Sequence, residues 1–155
     1  MHVRSLMTRD VLTVHTDTPV SDVARLMYEH GVSGVPVLDA QERMVGVITE
    51  TDLIVRNGRL EMPLFLQILD AFVPLERPSH LRSRLQHMLG THAEDVMSRD
   101  PHTIAPDAEV EDLVDLMVKR GANPVPVVEG SRIVGIVSRS DLVRMMVTDR
   151  DVPKG

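Results

Sequence analysis

Apolar residues occur at helical spacing in two separate stretches of the chain. In each stretch they occupy the i, i+3, i+4 and i+7 positions of one helix face. The two sets are Val20, Val23, Ala24 and Met27, and then Val110, Leu113, Val114 and Met117. Asp17 and Asp107 precede the stretches and indicate helix starts. Gly31 and Gly121 follow them, where a left-handed residue commonly ends a helix, so two amphipathic helices are predicted.

Short apolar runs of strand length follow each predicted helix. The runs cover residues 35–38, 44–48, 125–128 and 133–137, with a polar turn inside each pair. An extended segment precedes each helix, at residues 13–14 and 103–104. A further helix is predicted to begin near Asp52 and another near Asp141. The order strand, helix, strand, strand, helix therefore occurs twice.

The two halves of the chain match each other, which indicates an internal duplication. LMTRD at residues 6–10 aligns with VMSRD at 96–100, and VPV occurs at both 35–37 and 125–127. After a one-residue deletion near Glu42, VGVIT at 45–49 aligns with VGIVS at 134–138. We predict four parts: repeat 1 at 1–56, a helical connecting segment at 57–92, repeat 2 at 93–148 and a flexible tail at 149–155.

The connecting segment is not explained by the duplication. Its apolar residues recur at helical spacing between Leu64 and Phe72 and again between Leu81 and Leu89, so two helices are predicted there. Three roles stay open for them. They cover the protein's own core, dock onto a partner or second copy, or lie on a membrane surface.

Composition narrows the class of function. With 155 residues, 43% of them hydrophobic, the chain can bury one good core. A net charge of -6 and 2% aromatic residues disfavour nucleic-acid binding. There is no cysteine, and the His residues show no helical pair with a third ligand, so no metal site is expected. No apolar run approaches the roughly 20 residues of a membrane span, and no catalytic motif occurs. We expect a cytoplasmic protein that is not an enzyme.

The motifs that carry chemistry resemble the signature of cystathionine β-synthase-type (CBS) domains. GVSGVPV at residues 31–37 is followed by VGVITETDL at 45–53, and GANPVPV at 121–127 by IVGIVSRSDL at 133–142. The resemblance implies an α/β (α+β) fold in which two CBS repeats pack as a pseudo-twofold module with two clefts between them. It also implies a regulatory ligand such as AMP, ADP, ATP, S-adenosylmethionine or a dinucleotide, no required cofactor, and a homodimer.

Two aspartates are the candidate ribose-binding residues. Asp52 and Asp141 each stand near a predicted helix start, and a carboxylate can accept hydrogen bonds from two vicinal hydroxyls. Neighbouring hydroxyls, together with free amides at a helix N-terminus, suit a phosphate. These hydroxyls belong to Thr49, Thr51, Ser138 and Ser140. The alternative is that all six side chains only cap their helices.

The resemblance also implies that each aspartate is combined with adenine-binding residues of the opposite repeat. One cleft then contains Asp141, Ser138 and Ser140 with Met7, Leu12, Ser33 and Val35. The other contains Asp52, Thr49 and Thr51 with Met97, His102, Asn123 and Val125.

The two clefts are expected to differ in charge. Arg139 lies between Ser138 and Ser140, where it can neutralise a phosphate, whereas Glu50 at the matching position repels one. The Asp141 cleft is therefore predicted to bind a phosphorylated ligand more tightly. The alternative is that Arg139 and Glu50 point into solvent as ordinary surface charges.

The sequence thus predicts a ligand-sensing regulatory module for an adenine nucleotide or adenosyl compound, for example in energy sensing. Because no effector domain is linked to the repeats, an unknown separate partner protein is expected to read the signal. The alternative is a scaffold or dimerisation protein with empty clefts. A nucleotide hydrolase or transferase is a weaker third hypothesis, because no base or metal site is evident.

Overall fold

The computed structural model describes residues 1–55 and 91–148. The predicted helices of the connecting segment and the predicted flexible tail at 149–155 lie outside the described residues. The described part is a mixed α/β structure in which the order helix, strand, strand, helix occurs twice, preceded by a two-residue strand in the first copy and by a single bridge in the second. The predicted fold class is therefore confirmed.

The chain forms two compact units whose limits differ from those of the sequence repeats. We call Thr13–Asp100 the Asp52 unit. Met1–Leu12 together with Pro101–Gly155 form the Asp141 unit. The first residues of each repeat are thus built into the unit that contains the strands of the other repeat.

The Asp52 unit contains a three-stranded sheet and the helices that cover it. Its elements are β1 (Val14–His15), α1 (Val20–His30), β2 (Gly34–Leu38), β3 (Met44–Thr49), α2 (Glu50–Val55) and α3 (Ala93–Val96). The strand order is β1-β2-β3, with β1 parallel to β2 and β2 antiparallel to β3. All of β2 is buried, which explains why its sequence is a continuous apolar run rather than an alternating one.

Helix α1 has the predicted buried face and the predicted end. Val20, Val23, Ala24 and Met27 are its buried residues. Gly31 ends the helix with a φ of 62°, a left-handed conformation that costs glycine least. Both expectations for this helix are confirmed.

The Asp141 unit repeats this plan with one shorter element. It contains a 3₁₀ turn at Val3–Ser5, α4 (Val110–Lys119), β4 (Val125–Glu129), β5 (Arg132–Val137) and α5 (Arg139–Thr148). Strands β4 and β5 are antiparallel, and the counterpart of β1 is a single parallel bridge from Ile104 to Val127. Its core contains Val3, Ile104, Leu113, Met117, Val125, Val127 and Val137.

One predicted core position on α4 is wrong. The helix buries Val110, Leu113 and Met117, but 37% of Val114 is exposed. Ala24 occupies the matching position of α1 and is fully buried. A small side chain fits at this edge of the buried stripe, whereas the larger valine extends into solvent.

We call the first residues of each repeat the incoming segment, which is Met1–Leu12 in the Asp141 unit and residues 93–100 in the Asp52 unit. Each incoming segment is joined to its unit through the same pair of backbone hydrogen bonds. In the Asp52 unit, the Ser98 amide donates to the Val47 carbonyl at 2.9 Å, and the Val47 amide donates back at 3.1 Å. In the Asp141 unit, Thr8 and Ile136 exchange the equivalent bonds at 2.9 and 3.0 Å. The duplication therefore preserves the backbone pairing of both incoming segments.

None of the helices among residues 1–55 and 91–148 is long and apolar enough to cross a membrane.

Candidate functional site

The Asp52 carboxylate lies at the start of α2 and closes a capping box with Thr49. Its Oδ2 accepts hydrogen bonds from the Thr49 amide at 2.9 Å and from the Thr49 hydroxyl at 3.1 Å. The Asp52 amide donates to the same hydroxyl oxygen at 3.3 Å. The short Thr-x-x-Asp spacing is what lets strand β3 pass directly into a helix with its first amides satisfied.

Asp141 takes the matching place at the start of α5. Its Oδ2 accepts from the Ser138 amide at 2.7 Å and from the Ser138 hydroxyl at 3.0 Å. Only 8% of Asp141 is exposed, and it is the one buried charged residue in the described part of the chain. A buried carboxylate is costly to desolvate, so its oxygens need hydrogen-bond donors.

Both aspartates therefore cap their helices, as the alternative interpretation of the sequence proposed. In each case, however, the cap uses only one carboxylate oxygen, Oδ2. The second oxygen, Oδ1, points to a different partner in each unit, and the two aspartates differ there.

The partners of the second oxygen were not found by sequence reasoning. Ser98 donates its hydroxyl to Oδ1 of Asp52 at 3.0 Å. Arg144 forms an ion pair with Asp141, with 3.3 Å between Nη1 and Oδ1. The Arg144 contact has a sequence signal, because residues three apart lie on the same face of a helix. The Ser98 contact has none, since the two residues are 46 positions apart.

The charged residues at the two helix starts are held through their backbones. The Arg139 amide donates to Oδ1 of the Asn123 side chain at 2.9 Å, and the Glu50 amide donates to the Ser33 carbonyl at 3.0 Å. Both Arg139 and Glu50 are exposed, and within residues 1–55 and 91–148 neither side chain forms an ion pair. The guanidinium of Arg139 is therefore free to attract an anion, and the carboxylate of Glu50 is free to repel one.

The other candidate residues divide between the two units. The Asp141 unit contains Met7, Leu12, His102, Asn123, Val125, Ser138, Arg139 and Ser140. The Asp52 unit contains Ser33, Val35, Thr49, Thr51 and Met97. Val35 and Val125 are completely buried, whereas Thr51 and Ser140 are exposed.

The structure brings some of these candidates into one unit and leaves others apart. Met7 and Leu12 share a unit with Asp141, and Met97 shares one with Asp52. The expected combinations of Asp141 with Ser33 and Val35, and of Asp52 with Asn123, Val125 and His102, join residues of different units and stay predictions.

In the described ranges, no group of three or more His, Cys, Asp or Glu side chains is placed to hold a metal ion.

The two aspartates that cap α2 and α5 lie in segments that are characteristic of one protein family. The sequence matches the CBS domain over residues 3–57 and again over residues 93–151. The chain belongs to the CBS-domain family.

Solved structures of CBS domains have a similar fold. The CBS domain of a membrane protein from Sphaerobacter thermophilus is 30% identical with a TM-score of 0.72, covering 93% of this chain and 86% of that one. CBSX2 in complex with AMP, a protein of Arabidopsis thaliana, is 24% identical with a TM-score of 0.69, covering 96% and 98%. The CBS domain pair of protein MJ0100, in complex with 5′-methylthioadenosine and S-adenosylmethionine, is 23% identical with a TM-score of 0.69, covering 96% and 98%.

Proposed function

We propose that this CBS protein is a regulatory binding module for an adenine nucleotide or another adenosyl compound, and that it has no catalytic activity of its own. The observation that carries the proposal is the Asp141 carboxylate. It is buried, it is fixed by Ser138 through Oδ2, and in the part of the chain that the structure describes its Oδ1 is paired only with Arg144, whose side chain is 69% exposed.

The arrangement around Asp141 suits a ribose that carries a phosphate. Oδ1 can accept hydrogen bonds from a vicinal diol after the exposed Arg144 side chain moves away. The exposed Arg139 and the N-terminus of the ten-residue helix α5 attract negative charge. A ribose contact alone accepts any adenosyl compound, and the positive groups favour one with a phosphate.

The liganded CBS structures are consistent with this choice of ligand class. AMP, 5′-methylthioadenosine and S-adenosylmethionine, which occur in those complexes, all contain an adenosine with a vicinal diol. A carboxylate that recognises the diol does not distinguish among them. The discrimination is therefore assigned to groups near the 5′ position, of which Arg139 is the candidate.

Regulation requires that the ligand bind one arrangement of the protein better than another. We propose that a separate effector protein reads this change, that the protein works as a homodimer in the cytoplasm, and that the adenylate ratio is the signal. Such a sensor shifts its population only by the difference in ligand affinity between the two arrangements.

The proposal is tested by thermal unfolding with a panel of AMP, ADP, ATP, S-adenosylmethionine, 5′-methylthioadenosine and NAD. A ligand present at about 100 times its Kd adds roughly 2.7 kcal/mol of stability, which is a readily measured shift. At least one adenosyl compound is expected to raise the Tm of the wild type, and Asp141→Ala is expected to abolish most of that rise.

The scaffold alternative makes the opposite prediction. It is favoured by one observation, namely that Asp52 already has donors on both of its oxygens. If no compound in the panel shifts the Tm of the wild type, the sensor proposal fails and a dimerisation or scaffold protein becomes the better hypothesis. Incubation with ATP and Mg²⁺ should leave the nucleotide intact in either case.

A further inference from the structure

The hydrogen bonds of Asp52 leave little capacity for a ligand. A carboxylate offers about four acceptor positions. The amide and hydroxyl of Thr49 occupy two of them on Oδ2, and the hydroxyl of Ser98 occupies one on Oδ1. One acceptor position remains, and a vicinal diol needs two.

Asp141 has the same cap and a different second oxygen. Ser138 again donates twice to Oδ2, and among residues 1–55 and 91–148 the acceptor positions of Oδ1 face only the guanidinium of Arg144. The Arg144 side chain is 69% exposed although that of Asp141 is only 9% exposed, so the guanidinium regains water when it moves and the hydroxyls of a diol replace it as donors to Oδ1. A diol can therefore displace Arg144 at small cost.

The difference between the two aspartates arises from one residue of each incoming segment. Ser98 and Thr8 are equivalent in the duplication, and their backbones form the same pair of bonds to β3 and β5. Ser98 is half-buried and its hydroxyl reaches Asp52, whereas Thr8 is exposed and, within the described ranges, its hydroxyl has no hydrogen-bond partner. One incoming segment is thus tied to the aspartate of its unit, and the other is not.

We propose that the two aspartates have different roles, one structural and one in binding. Asp52 is a brace that fixes the incoming segment through Ser98, and Asp141 is the single diol-binding carboxylate. Arg144 covers its free oxygen until a ligand arrives. This assignment rests on the proposed function, since it names which of two matching residues performs it.

Displacing Ser98 is harder than displacing Arg144 for a physical reason. The Ser98 backbone is fixed by two hydrogen bonds to Val47, so the Ser98 hydroxyl stays close to Asp52 and competes with a ligand hydroxyl for Oδ1. Arg144 is a long side chain at the surface, and its guanidinium regains water when it moves. The same ligand therefore competes with a fixed donor at Asp52 and with a mobile one at Asp141.

The binding half of the assignment is tested by calorimetric titration with AMP. The wild type is expected to bind one AMP per chain. Asp141→Asn, which keeps the shape of the side chain, is expected to weaken binding by about tenfold or more, and Asp52→Asn by less than about threefold. Two equivalent sites, or a larger loss in Asp52→Asn than in Asp141→Asn, would overturn the assignment while leaving the proposed function intact.

The structural half is tested without any ligand by a matched pair of variants. Ser98→Ala removes a hydroxyl, and Thr8→Val replaces the equivalent hydroxyl with a methyl group. Ser98→Ala is expected to lower the Tm by about 2–4 °C because Asp52 loses a donor, and Thr8→Val to change it by less than about 1 °C. Equal shifts in the two variants would contradict the brace.

The two experiments separate the possible failures. If the wild type binds none of the adenosyl compounds, both the proposed function and the binding role of Asp141 are wrong, whatever the Tm values show. If the wild type binds AMP and Ser98→Ala weakens that binding as strongly as Asp141→Asn does, only the division of roles is wrong.

Discussion

In the Asp52 unit the incoming segment crosses strand β3 at Gly46, and in the Asp141 unit the other incoming segment crosses β5 at Gly135. A Cβ added to Gly46 would lie 2.8 Å from the backbone oxygen of Ser98, whereas the three nearest atoms at Gly135 all belong to the side chain of Met7. Both units thus need a glycine here. A methionine side chain lies close in each case, with Met97 Sδ at 2.7 Å from the added Cβ of Gly46, but only Gly46 also meets rigid backbone. The comparison shows that duplication has kept the crossing geometry, while the side chains around it have diverged.

The largest expected effect comes from filling these two glycines. Gly46→Ala should destabilise the protein by about 3 kcal/mol and Gly135→Ala by about 1 kcal/mol, because overpacking costs most where the neighbour cannot move. The two changes in the free energy of unfolding are obtained from the midpoints of urea unfolding, with the m value held constant.

A pair of double variants sharpens the test. Adding Met7→Ala should restore much of the stability lost in Gly135→Ala, since the contacts with Sδ at 2.5 Å and Cγ at 2.8 Å disappear and only the contact with Cβ at 3.0 Å remains. Adding Met97→Ala to Gly46→Ala should restore less, because the Ser98 oxygen remains. Equal losses of stability in Gly46→Ala and Gly135→Ala would mean that both incoming segments move aside equally easily.

The next effect concerns the charges at the two helix starts. Arg139→Glu should weaken AMP binding by about tenfold, or ~1.4 kcal/mol, because a repulsive charge replaces an attractive one. The affinity for 5′-methylthioadenosine, which has no phosphate, should change little. Raising the salt concentration should reduce the AMP effect if it is electrostatic.

Glu50→Arg is the matched control for this charge. It removes the repulsive group from the Asp52 unit but leaves the Ser98 brace in place. The number of AMP molecules bound per chain should therefore stay at one. An increase to two would show that charge, and not the brace, had kept the Asp52 carboxylate from binding.

A smaller effect should distinguish the two helix caps. Thr49→Ala should cost about 1 kcal/mol and Ser138→Ala about half of that. The reason is that the Asp141 amide donates to the Ser138 backbone carbonyl at 3.1 Å, a bond that the substitution leaves in place, whereas the Asp52 amide donates to the Thr49 hydroxyl. Thermal unfolding of the two variants compares them directly, and an equal loss would contradict this explanation.

Local signals in the sequence were sufficient for most of the fold. The apolar spacing of α1 identified its buried face, and Gly31 identified its end, because both depend on residues within two turns of each other. The same spacing was wrong at Val114, where the space available at the edge of the core decides burial. Sequence periodicity does not measure that space.

The candidate site shows the same limit. The link from Asp52 to Thr49 spans three residues and could be predicted from the Thr-x-x-Asp spacing. The link from Ser98 to Asp52 spans 46 positions and depends on how a distant segment enters the unit. The duplication predicts that Thr8 and Ser98 are equivalent, but it cannot predict that only one hydroxyl reaches a carboxylate.

The smallest expected effect is the pH response of one ion pair in the Asp52 unit that has no counterpart at the matching position of the Asp141 unit. His15 and Glu42 form a hydrogen bond of 2.8 Å, whereas the position that matches His15 is Ala105. That bond, with a smaller contribution from the charge of Asp17, raises the pKa of His15 above its ordinary value of 6.5.

A raised pKa in the folded state fixes the direction of the pH effect. The stabilisation is complete below the pKa of the unfolded chain and is lost as the pH rises through the higher folded pKa of His15. The effect is small because the His15 and Glu42 side chains are 48% and 68% exposed. An NMR titration should show that Glu42→Gln lowers the pKa of His15, and an unchanged pKa would mean that the pair does not persist in solution.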